Sequence, residues 1–110
     1  MQGESDAQSN ISVAQQYGKR FDTLVTHLRE DLQAPDSLFL YGQVNLDHPD
    51  YAAGIKSVRQ QQQAAQRELP RALMVSTDGL GKQADGIHYN AIGQMELGKR
   101  FAKAYIQHMK

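Results

Sequence analysis

Leu38-Phe39-Leu40-Tyr41-Gly42-Gln43-Val44 and Ala72-Leu73-Met74-Val75-Ser76 are the two runs that decide the fold of this 110-residue chain. Each is short and apolar at successive positions, the pattern of a strand covered on both faces. Between them Tyr51, Ile55, Val58, Ala65 and Leu69 mark a helix, and Pro70 closes it. Strand, helix, strand with short connections is a βαβ unit, which predicts parallel pairing and a right-handed crossover. The class is α/β.

Upstream, Val13, Tyr17, Phe21, Leu24, Leu28 and Leu32 recur at steps of three and four. That spacing predicts one amphipathic helix, with Ser12 and Gln15 as a capping box and Pro35 beyond its end. Downstream, a polar loop over residues 77–89 leads to a helix capped by Asn90. Its apolar face is Leu97, Phe101 and Tyr105, flanked by Met95, Ala102, Ile106 and Met109. Two parallel strands flanked by three helices are therefore expected. The run Gln60 to Gln63 reads as a solvated helix face, and His27, His108, Lys99, Arg100 and Lys103 read as surface positions.

Composition removes several function classes. Twelve basic residues balance twelve acidic ones, so no field steers nucleic acid or an anionic membrane. Without cysteine there is no disulfide framework, Cys-based zinc site or thiol nucleophile. No run approaches the roughly 20 apolar residues of a membrane span. The start, Met-Gln-Gly-Glu-Ser-Asp, is polar and acidic, unlike a signal peptide. A soluble cytoplasmic domain without a cofactor is expected, binding neither nucleic acid nor membrane.

In open parallel sheets, sites form outside the carboxyl ends of the strands. Asn45-Leu46-Asp47-His48 follows the first strand and residues 78–88 follow the second. Within the latter, Asp85-Gly86-Ile87-His88 places a carboxylate three residues before an imidazole. One turn lets the carboxylate accept the Nδ1–H bond, leaving Nε2 free to take a proton from a hydroxyl. Asp47, His48 and Asp50 read as a helix start, with Asp47 or His48 as cap and Pro49 near the first position. With Asp85 and His88 across the cleft they also offer metal-binding donors, though in no tight metal spacing.

Thr77-Asp78-Gly79-Leu80, Asp85-Gly86-Ile87-His88-Tyr89-Asn90, Gly93-Gln94 and Leu97-Gly98-Lys99-Arg100 together resemble the C-terminal block of the SGNH (GDSL-like) hydrolases. The resemblance is greatest to the sialate O-acetylesterase and acetylxylan esterase group of carbohydrate esterases. Gln2-Gly3-Glu4-Ser5-Asp6-Ala7 looks like that group's third block. The resemblance implies a partial doubly wound, flavodoxin-like layer, with Asp85 and His88 as the acid–base members of a Ser-His-Asp triad. It also implies attack by the serine on an acetyl ester of a carbohydrate, followed by hydrolysis of the acetyl-enzyme. For Gln2 it implies an oxyanion-donating side chain, with Gly3 and Glu4 shaping that loop.

The likeness extends over only the C-terminal half or so of the family's domain. No block corresponds to the nucleophile, and Ser5, Ser9, Ser12, Ser37, Ser57 and Ser76 match no nucleophile position. The expectation for residues 1–110 is a single truncated domain, inactive alone or served by a complementing N-terminal half-domain. The alternative is a non-enzymatic interaction module. The strand at 38–44 has an apolar edge free of Pro and Lys, which invites a homodimer joined edge to edge or by exchange of the N-terminal helix. Carbohydrate binding without turnover, through Gln2, Asn45 and Asp85, is a third reading.

Overall fold

In the computed structural model, which describes residues 2–109, β1 (Phe39–Gly42) and β2 (Ala72–Val75) pair in parallel. Phe39 lies opposite Ala72 and Gly42 opposite Val75. Around them are α1 (Glu4–Ala7), α2 (Ile11–Gln15), α3 (Tyr17–Asp31), α4 (Ala52–Glu68) and α5 (Ala91–Met109), with a 3₁₀ turn at Pro49–Tyr51. The result is the expected α/β layer. Side chains alternate across a strand, so Phe39, Tyr41, Ala72 and Met74 share the face packed under α3 and α4. Leu73 and Val75 lie toward α5 on the other face.

The N-terminal segment departs from the expected single helix. Asn10, not Ser12, caps α2, its Oδ1 accepting the Val13 N–H at 3.0 Å. The chain breaks at Gln16 before α3 begins. The buried row of α3 is Tyr17, Phe21, Val25 and Arg29, while Leu24, Leu28 and Leu32 are exposed. Aromatic packing sets this rotation. The Phe21 ring lies 4.8 Å from that of Tyr41 and 5.8 Å, edge-on, from Phe39. Tyr17 stacks on Phe21 at 5.8 Å. Such contacts add about 0.5–1.5 kcal/mol each to the burial of the rings. Arg29 ends the row as a clamp, its Nη2 donating to Ser37 O and Arg71 O just before the two strands.

The glutamine run is also not a solvated face. Gln60 and Gln63 are exposed, but Gln62 is fully buried. Its Oε1 accepts the Val44 N–H at 2.8 Å, and its Nε2 donates to Gln2 O and to the Tyr17 hydroxyl, both at 3.1 Å. Its own carbonyl accepts the Tyr41 hydroxyl at 2.6 Å. Burial pushes the Tyr41 phenol up to about 12, so it remains a donor. Gln61 joins neighbouring helices, accepting the Gly18 N–H at 2.6 Å and donating to Ala14 O at 2.7 Å.

The two sheet edges differ. On the outer edge of β2, Gln66 Oε1 takes the Met74 N–H at 2.8 Å. Phe39 and Gln43 turn their amides toward the β2 side, so by alternation Leu40 and Gly42 turn theirs outward. Among the described residues the sheet has two strands, and none lies beside that edge of β1. Among the described residues, no helix is long and apolar enough to cross a membrane.

Removing the Gln62 amide strands buried donors and acceptors, each costing about 1–3 kcal/mol. Gln62→Ala should therefore lower unfolding stability by about 2–4 kcal/mol. Gln60→Ala, at an exposed position, should stay within about 0.5 kcal/mol of the parent. Urea denaturation separates the two, and equal losses would refute the role given to Gln62.

Candidate functional site

The loop after β2 is fixed before it reaches its tip. Thr77 is buried and its hydroxyl donates to Gln43 O at 2.7 Å. Arg100 Nη1 reaches from α5 to Ser76 O at 3.0 Å and Asp78 O at 2.9 Å. Arg59 Nη1 donates to Val44 O, and its Nη2 lies 3.4 Å from Asp78 Oδ1. Asn45 Nδ2 donates to Thr77 O at 3.1 Å, and Lys82 Nζ donates to Asn45 O. The loop then doubles back, with a bridge between Lys82 and Tyr89. Asn90 caps α5 as expected, Oδ1 accepting the Gly93 N–H at 2.8 Å. Gly93 is required by contact: a Cβ there would lie 2.2 Å from Gly81 O.

Asp85 and His88 meet at the tip. Asp85 Oδ1 accepts the amides of Ile87 at 2.8 Å and His88 at 3.0 Å. Its Oδ2 lies 2.6 Å from His88 Nδ1. The hydrogen bond from His88, helped by the two amides, holds the Asp85 carboxyl down at about 2. Near neutral pH the carboxylate has no proton to give, so Nδ1 carries the hydrogen. In the neutral ring Nε2 then keeps its lone pair. The His88 side chain is 72% exposed, so the ring held by Asp85 is open to solvent.

His88 opens on a groove of about 500 Å³ whose lining includes Glu4, Gln83, Ile87, Tyr89 and Gln94. Glu4 thus reaches the same groove from the other end of the chain. Gly3 is buried at φ 120°, where a Cβ would sit 3.0 Å from Tyr17 and Val44 side-chain carbons. The Gln2 carbonyl accepts from Gln62 Nε2 and the Tyr17 hydroxyl, while Gln2 as a residue is exposed. Burial raises the Tyr89 phenol against the pull of a hydrogen bond with Thr77.

Asp47, His48 and Asp50 form a helix start. His48 Nδ1 accepts the Asp50 N–H at 3.3 Å, and Pro49 opens the 3₁₀ turn. Among the described residues, no three His, Asp or Glu side chains form a group able to hold a metal ion, so these donors do not join Asp85 and His88. Arg59, Arg100 and Thr77, which hold the loop, escaped the sequence reading. The available signal was Arg100 itself, a cation between Leu97, Phe101 and Ala104 on the inward side of α5.

The family model described as carbohydrate esterase, sialic acid-specific acetylesterase, matches residues 1–107. A probable carbohydrate esterase of Arabidopsis thaliana is 33% identical over 108 residues, covering 96% of this chain and 38% of that protein. The X-ray structure of the Arabidopsis protein superposes with a TM-score of 0.84 at 30% identity, covering 96% of this chain and 42% of that one. The chain thus spans about two-fifths of the length of the relative it matches.

Two measurements test the loop. In a carbonyl NMR titration Asp85 should stay ionised until about pH 2, and His88→Ala should move it back toward the ordinary carboxylate range. The depressed value means the contact's stabilisation is present above the ordinary carboxylate pKa and is lost as pH falls through about 2. Gly93→Ala should cost about 1–3 kcal/mol by overpacking against backbone, and the Asp85 and His88 resonances should shift with it.

Proposed function

The chain belongs to the sialic acid-specific acetylesterase family of carbohydrate esterases, and on that premise we propose that it supplies the acid–base part of a carbohydrate O-acetylesterase. The observation that carries this reading is the 2.6 Å contact between His88 Nδ1 and Asp85 Oδ2 beside an open groove. His88 Nε2 is the general base that takes the proton of a serine hydroxyl as the serine attacks the acetyl carbon. The imidazolium, stabilised by Asp85, then returns the proton to the departing sugar oxygen. Water, activated by the same nitrogen, releases acetate from the acetyl-enzyme. The loop at Gln2, Gly3 and Glu4 borders this chemistry, with the Gln2 side chain as oxyanion donor. This is SGNH-type chemistry.

Among the described residues, no serine lines the His88 groove. In this reading the nucleophile comes from the part of the domain that precedes the Gln2 loop, on this polypeptide or on a complementing one. The open β1 edge supports the same arrangement. Gly3 packs against Val44 at the C-terminal end of β1, so a strand leading into Gln2 along that edge would run parallel to β1.

The test joins the preceding part of the Arabidopsis relative ahead of Gln2 and assays 4-nitrophenyl acetate and an O-acetylated sialic acid. The 110-residue chain alone should be no more active than its His88→Ala variant. The chimera should turn over ester, and His88→Ala or Asp85→Asn should lower that rate on the order of 10²–10⁴-fold. Turnover by the 110-residue chain that His88→Ala abolishes would overturn the division of labour. A chimera indifferent to His88 would overturn the base assignment.

A further inference from the structure

Helix α5 is apolar on two opposite sides. Gly93, Leu97, Phe101 and Ala104 turn inward and are buried or half-buried. Ile92, Met95, Lys99, Ala102, Ile106 and Met109 form a second row, with steps of three, four, three, four and three. That is the a/d spacing of a coiled-coil seam. At 3.6 residues per turn, this row lies across the helix from Leu97 and Ala104. All six residues are exposed, the four large apolar ones between 55% and 78%. Strands added beside β1 would not cover the row, because it points away from the sheet.

We propose that this row is a self-association surface on which α5 packs antiparallel against α5 of a second copy. The row is complementary to itself when reversed. With the two-fold axis between Lys99 and Ala102, Ile92 meets Met109 of the second copy, Met95 meets Ile106, and Lys99 meets Ala102. Apolar side chains face each other at both ends, and the lone Lys at the centre favours one register. The contact is isologous and closes at two copies.

Both flanks fit the same register. Glu96 and Lys103 occupy equivalent positions on one flank. Antiparallel pairing sets each opposite the other residue of the second copy, giving two symmetric ion pairs in addition to the Glu96–Arg100 contact within the helix. On the opposite flank the half-exposed Tyr105 faces Gly98 of the second copy. Nothing lies within 4 Å of where a Gly98 Cβ would be, which leaves room for the ring. A contact one helix long, about 28 Å, is small among specific interfaces. A weak, concentration-dependent dimer follows.

Sedimentation velocity of the full chain from low to high micromolar concentration should show the mass doubling. Ile106→Lys and Met95→Lys, at exposed positions, should each return it to monomer with unchanged circular dichroism. Glu96→Lys and Lys103→Glu should each weaken the dimer several-fold, and the double variant should recover it. A chain that remains monomeric throughout overturns the proposal. So does a dimer indifferent to Ile106→Lys, or a double charge swap no tighter than either single one.

Discussion

The side-chain amide of Gln62 joins three parts of the chain that lie far apart in sequence: the Gln2 carbonyl, the Tyr17 hydroxyl and the Val44 amide. Within α4 only this side chain is both fully buried and polar. An amide carries donors and an acceptor on one planar group. It can therefore close a strand's outward N–H and a loop's C=O at the same time, which no apolar residue of similar volume can do. Burial makes the choice of residue strict, since any group left unpaired there costs more than a typical hydrogen bond contributes. The consequence reaches the site. Gln2 is anchored to the end of β1, which sets where Gly3 and Glu4 begin and brings Glu4 to the groove of His88.

A second set of contacts fixes the other side of that groove. Arg59 from α4 and Arg100 from α5 bind the backbone just past β1 and β2. Asn90 and the Gly81–Gly93 contact seat the loop on the start of α5. Asp85 then needs only short-range bonds, to its neighbours Ile87 and His88, to orient the imidazole. The exposed pair is thus positioned by the contacts that seat the loop beneath it, and little is asked of the pair itself. An exposed ion pair contributes little to stability, so its geometry is better understood as orientation than as a source of folding energy.

The sequence made the large-scale features legible and lost those set by cross-chain geometry. The βαβ order, both strands, the Asn90 cap and the Asp85–His88 turn follow from local chemistry: apolar runs, cap residues and a carboxylate at a one-turn spacing. The rotation of α3 was lost beyond Phe21, because continuing through Leu24, Leu28 and Leu32 or through Val25 and Arg29 is equally helical. Only the rings of Phe39 and Tyr41 decide between them. Gln62 was lost for a similar reason. Four consecutive glutamines look alike until partners 18 and 60 residues away select one of them.

The same distinction between local pattern and long-range partner bears on the two uncovered surfaces. The outer edge of β1 is a backbone surface lying in the sheet plane, and in the proposed function a strand beside it completes it. The outward row of α5 is a side-chain surface, directed away from that plane. Its heptad-like spacing suits a helix, as in the self-association proposed above. Because the two point in different directions, one does not compete with the other. A strand beside β1 lies in the sheet plane, and a helix paired on the α5 row lies outside it, clear of the residues that line the His88 groove. Under the function and the self-association proposed above, the two contacts use different surfaces, and neither involves the residues that line the His88 groove.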